Sequence, residues 1–124
     1  MVDINDERKW NTFLNKLTSK TEDGDIEWYE SPHARRQNPL GPIFVAEILP
    51  GKFAAIYRYW YNYYTDVDEY TRQEGVAVEF VDDAGEKQWS LPSVGARFAL
   101  MDLIEYNEAE AGDILDEFLK GDDG

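Results

Sequence analysis

The spacing of apolar residues changes twice along this chain, from a helical period to alternation and back again. Over residues 5–20, Trp10, Phe13, Leu14 and Leu17 stand at i, i+3, i+4 and i+7, one stripe of an amphipathic helix. Asn5 or Asp6 offers a capping oxygen at its start, and Lys16 and Lys20 lie toward its negative C-terminal end. "TEDGD" then reads as a turn, and "IEWYE" alternates Ile26 and Trp28 with Glu27, the pattern of a strand. The segment "SPHARRQNPLGP", 31–42, carries three prolines and no periodicity, so it is a loop. "IFVAEIL" and "KFAAIYRYWYNYY" follow as two strands, with Pro50 and Gly51 as a two-residue hairpin connection.

Alternation along the second of these strands sets Phe53, Ala55, Tyr57, Tyr59, Tyr61 and Tyr63 on one face. Ala54, Ile56, Arg58, Trp60, Asn62 and Tyr64 occupy the other. Neither face is polar over the first half, which predicts cover on both sides there; the end spanning 59–64 is expected to be partly exposed. After the acidic connection "TDVDEYTRQE", "GVAVEFV" returns as a strand with Val76, Val78 and Phe80 on one face, and "DDAGEK" turns it into "QWSL". Ser93 is placed to cap a helix carrying Val94, Phe98, Met101 and Ile104, with Leu100 and Leu103 widening its apolar face. Ala111, Ile114, Leu115 and Phe118 form a second stripe, so the tail is one helix bent near Asn107 and Gly112, or two short ones. The order of elements predicts an α+β fold: an antiparallel meander of about five strands, with N-terminal and C-terminal helices packed on one face. At 124 residues the chain is expected to be one domain, frayed at 1–4 and 120–124.

The pieces "KWNTFLNKLTSKTEDGDIEW" and "VAVEFVDDAGEKQWSLP", with the helical tail, resemble a family of small uncharacterised prokaryotic proteins. Leu17, Lys20, Thr21, Gly24, Ile26 and Trp28 carry the most specific part of the likeness. The resemblance implies the fold above and no activity. By that comparison the aromatic run and the 31–42 loop are embellishments.

Composition narrows the function classes. Twenty-six acidic against twelve basic residues give a formal net charge of −14, which repels nucleic-acid backbones and anionic membranes. Direct nucleic-acid binding and membrane association are therefore not expected. Adaptation to a salty cytoplasm would also account for the acidity. The absence of cysteine excludes disulfides, thiolate metal sites and thiol nucleophiles. The first residues show no signal-peptide pattern and no segment suits a membrane span, so a cytoplasmic protein is expected.

Catalytic and metal motifs are missing from the residues as they stand. His33 has no second histidine or cysteine at ligand spacing, and "DVDE" and "DGD" lack the spacing of a calcium loop. The serines lack nucleophile-elbow glycines, and no phosphate-cradling loop occurs. No cofactor, no metal and no enzymatic activity are expected. What remains is surface. The stretch "YRYWYNYY" packs six aromatics around the single charge of Arg58. Tyrosines of this kind suit a protein interface, or else cross-strand packing. Between 102 and 123, nine carboxylates, Asp113, Asp116 and Glu117 among them, face Lys120 alone. Arg35 and Arg36 either grip an anionic group or relieve the surrounding field.

The leading expectation is a non-enzymatic interaction module with an unidentified protein partner. Its surface would combine Tyr59, Tyr61, Tyr63, Tyr64, Arg35 and Arg36 with Asp113, Asp116 and Glu117. A homodimer through an uncovered sheet face is compatible with the same pattern. The alternative is an acidic inhibitor or immunity-type protein that blocks a nucleic-acid-binding or nuclease partner by charge mimicry. A third reading, a small hydrolase or ligand-binding protein using His33 and the neighbouring arginines, requires a pocket around that histidine.

Overall fold

The computed structural model describes residues 6–121. The Asn5 cap, the expected fraying at 1–4 and 122–124, and Asp122 and Asp123 of the acidic run lie outside the described residues; Lys120 and Gly121 close the last helix. Helix α1 (Glu7–Glu22) starts at Asp6, whose carboxylate accepts the Lys9 backbone N–H. It stops at Gly24, which takes a positive φ of 81° and lets the Asp25 and Ile26 N–H groups turn back onto the Lys20 carbonyl.

Five strands follow: β1 (Tyr29–Glu30), β2 (Phe44–Leu49), β3 (Lys52–Tyr64), β4 (Tyr70–Val81) and β5 (Lys87–Ser90). They pair antiparallel in chain order, the meander that hairpin-length connections predict. β1 is shorter than "IEWYE" suggests, because Ile26 and Trp28 leave the ladder for α1. Ile26 joins the core, and the Trp28 indole N–H donates to the Thr21 hydroxyl at 3.0 Å.

The tail forms two helices, α2 (Ala96–Glu108) and α3 (Ala111–Gly121). They separate at Glu110, a non-glycine residue at φ 53°. Gly112 lies so close to the Tyr106 hydroxyl that a Cβ there would approach it to 2.7 Å. Ser93 does not cap α2. The first-turn N–H of Ala96 is met instead by the Asn11 side-chain oxygen of α1, at 3.0 Å across 85 residues of sequence.

α1 and α2 cover one face of the sheet, where Leu14, Leu17, Phe44, Ile56, Val76, Val78, Leu100, Met101 and Ile104 form the main core. Arg58 of β3 reaches out from that face to α2, bonding Asp102 at 2.7 Å and both Glu105 oxygens at 2.8–3.0 Å. The opposite face is covered by the 31–42 segment, which is more than a surface loop. It contributes Ala34 to a second cluster with Ile43, Val45, Ala55, Tyr57 and Val81. It then runs beside β3, with the Leu40 N–H on the Arg58 carbonyl and the Trp60 N–H on the Asn38 carbonyl. Pro39 sits in this added edge segment, where its missing N–H leaves no ladder bond unmade.

Candidate functional site

Beyond the reach of its neighbours, the β3–β4 hairpin continues as a two-stranded arm. Along β3 the 31–42 segment stops bonding at Trp60, whereas β3 and β4 stay paired out to Tyr64 and Tyr70. β5 ends well before this point, its last ladder contact being the Leu91 N–H on the Val78 carbonyl. An unsupported two-stranded ribbon is marginal in water, so side-chain pairs must hold it. The Tyr64 and Tyr70 rings meet at 5.5 Å, and the Arg72 guanidinium lies 4.2 Å over the Trp60 ring. The Tyr59 ring covers Gly75, its register partner, so closely that a Cβ at that position would lie 2.6 Å from a ring atom.

Exposure rises along the tyrosine run. Tyr57 is buried and Tyr59 partly so, whereas Tyr61 is 40% and Tyr64 61% exposed, with Tyr63 between them. The arm therefore presents aromatic side chains on both of its faces.

A second exposed surface lies on α3. Asp113, Asp116 and Glu117 are in solvent, and so is the apolar stripe expected to pack beneath them. Ile114, Leu115, Phe118 and Leu119 are each more than half exposed, Phe118 reaching 71%, and no residue of α3 is buried. The helix touches α2 and extends away from the sheet core. Hydrophobic periodicity locates such a stripe but does not say whether the rest of the chain reaches it. Two carboxylates of the acidic run, Asp102 and Glu105, are already engaged by Arg58; hydrogen bonding to Glu105 raises that guanidinium's pKa above its usual value.

The two arginines of the 31–42 segment have different places. Arg35 is exposed and donates to the carbonyls of Pro32 and Ala34. Arg36 turns inward, its side chain 10% exposed, and forms an ion pair at 2.9 Å with Glu79, whose side chain is 3% exposed. The other Glu79 oxygen accepts the Tyr57 hydroxyl at 2.9 Å, and Arg36 also donates to the Gly85 carbonyl in the β4–β5 turn. Burial pushes the Tyr57 phenol pKa well up, and the hydrogen bond to Glu79 and its negative charge add to the rise. Arg36 is thus a clamp holding 31–42 against the sheet, and it does not contribute a free charge to the surface. Residues 43 apart in sequence make the pair, and no local pattern signals it.

Beside this clamp, where β5 leaves the edge of β4 uncovered, lies a cavity of about 960 Å³. One wall is the 33–38 part of the crossing segment, including His33, and Tyr59, Trp60 and Tyr61 of β3 also line it, Trp60 from the opposite face of the strand. The β4–β5 turn contributes Glu86 and Lys87, and the approach to α2 contributes Ser93 and Arg97. The pocket that a ligand-binding reading of His33 requires is present. Lys87 and Arg97 carry no local signature that would have joined them to it. Among the described residues, no three His, Asp or Glu side chains converge as metal ligands, and no helix is long and apolar enough to cross a membrane.

Compared with known protein families, curated proteins and solved structures, the chain matches none.

Proposed function

We propose that this chain is a non-enzymatic protein-interaction module that docks a partner through α3, with the aromatic arm as a second contact. The observation that carries the reading is the exposed stripe of Ile114, Leu115, Phe118 and Leu119 on an eleven-residue helix that buries none of its own residues. Contiguous apolar surface of this kind on a water-exposed helix marks a contact site, and helix-in-groove docking uses anchors at i, i+3, i+4 and i+7, the spacing of Ala111, Ile114, Leu115 and Phe118. Asp113, Asp116 and Glu117 flank the stripe against Lys120 alone, so the complementary partner is a protein with an apolar groove rimmed by lysine or arginine.

Mimicry of a phosphate backbone uses the same carboxylates without the apolar stripe, and the two readings separate by salt. A groove complex keeps most of its affinity at high ionic strength, whereas a complex held by charge alone dissociates. The test compares the wild type with Phe118→Glu and Leu115→Glu, which leave the fold intact because both side chains are exposed. The expected result is a stoichiometric partner retained from source lysate by the wild type through a high-salt wash and lost by both variants. A partner bound equally well by all three proteins overturns the α3 assignment, and one released by salt from the wild type transfers it to charge mimicry.

A further inference from the structure

From the cavity beside β4 we infer a binding site for a small organic anion that joins a phosphate or carboxylate group to a planar ring. The inference rests on a different part of the molecule from the α3 surface and does not depend on it.

Charge supplies the first argument. The chain carries a formal −14, yet the residues lining this cavity contribute four positive side chains, Arg35, Arg36, Lys87 and Arg97, against two negative, Glu79 and Glu86. Arg36 and Glu79 neutralise each other. Among the described residues none of the other three cations forms an ion pair within 4 Å. One-quarter of the chain's twelve lysines and arginines thus line, without an ion pair, one concave site of an otherwise negative molecule. A negative surface around a positive recess admits a compact anion and resists a polyanion, because a long phosphate chain would have to cross the surrounding carboxylates.

Preorganisation supplies the second. Backbone carbonyls hold the exposed Arg35 and the half-buried Arg97 without cancelling their charge. Arg97 donates its Nε to the Val76 carbonyl at 2.7 Å and one terminal nitrogen to the Val94 carbonyl at 2.6 Å, leaving the other terminal nitrogen to donate elsewhere. Arg35 is held by Pro32 and Ala34 through one terminal nitrogen, so its Nε and second terminal nitrogen remain available. Guanidinium groups held this way lose little freedom when they grip an oxyanion. Size and lining supply the third: about 960 Å³ is at the upper end for a small-molecule site, and the Tyr59 and Tyr61 rings, 5.9 Å apart on one face of β3, give an aromatic surface for a planar group.

Isothermal titration of the full chain with AMP, benzoate, inorganic phosphate and adenosine tests the site. AMP and benzoate represent the phosphate and carboxylate forms of the same chemistry; adenosine lacks the charge and phosphate lacks the ring. The expected result is saturable one-to-one binding of AMP or benzoate, at least tenfold tighter than phosphate, with adenosine not bound. Whichever of the two binds identifies the anionic group. Lys87→Gln and Arg35→Gln alter exposed side chains and should melt as the wild type does, while each weakens that binding about tenfold. The assignment is overturned if neither AMP nor benzoate saturates at concentrations of about 5 mM, well past a millimolar Kd. It is equally overturned if adenosine binds as tightly as AMP, if phosphate binds as tightly as both ring compounds, or if both variants bind like the wild type.

Discussion

Replacing Arg36 with methionine separates a structural clamp from a surface charge. The side chain is 10% exposed and makes three kinds of contact: the ion pair to Glu79, a bond to the Gly85 carbonyl at 2.8 Å and one to its neighbour's carbonyl at 2.7 Å. In Arg36→Met the Glu79 carboxylate stays inside with only the Tyr57 hydroxyl for company. Breaking a buried pair from one side costs about 3–5 kcal/mol, most of it the uncompensated charge. The double change Arg36→Met, Glu79→Leu removes that charge and leaves the Tyr57 hydroxyl as the main loss, about 1–3 kcal/mol. The double variant should therefore be more stable than Arg36→Met, and its cost at least about 2 kcal/mol below the sum of the single changes. Urea unfolding followed by tryptophan fluorescence reads this directly. With a slope of about 1–3 kcal/mol per molar, the single change moves the midpoint by roughly 1 M or more. If Arg36→Met costs less than about 1 kcal/mol, or the two single costs simply add, Arg36 is not holding 31–42 to the sheet.

Three further outcomes follow from the geometry. Gly75→Ala drives a Cβ into the Tyr59 ring and should cost about 1–2 kcal/mol, a cost that shrinks when Tyr59→Ala is added, as a thermal double-mutant cycle would show. Asn11→Ala removes the cap on α2 and should lower stability by about 1 kcal/mol in denaturant melts, whereas Ser93→Ala should be nearly silent. Tyr57 ionises less readily folded than unfolded, so the unfolded chain loses that proton first, and stability drops as pH rises past about 10. Tyr57→Phe should show a shallower alkaline loss than the wild type in midpoints measured on both sides of that pH, and identical slopes would contradict the buried phenol.

Much of the architecture is legible in residue order because it rests on periodicity. The stripe of α1, the Pro50–Gly51 turn and the alternation of β3 and β4 each express a local backbone rule, and the meander follows from short connections. Cover on both faces of the first half of β3 is also legible, since Ala54 to Tyr57 leave no polar side. The identity of one cover is not. The 31–42 segment has no repeat to announce it, and it docks through Ala34, Arg36 and a few edge bonds that depend on a sheet already built. The α2 cap is hidden for the same reason: Ser93 has the right chemistry nearby, but Asn11 has the right position after folding. On α3 the period is visible and the burial is not, because amphipathicity records a demand for cover without naming what supplies it.

The bond from Asn11 to Ala96 bears on how the chain is made in the cell. During synthesis α1 and the meander leave the ribosome first, while Leu100, Met101 and Ile104, which finish the helix-side core, are still to come. Until they emerge, the sheet exposes Phe44, Ile56, Val76 and Val78 with only α1 to shield them. A chain stalled before α2 is thus a sticky one, and its solubility at that moment depends on the carboxylates spread over the residues already made. The acidity of the finished protein would then also act earlier, keeping the unfinished one apart from its neighbours.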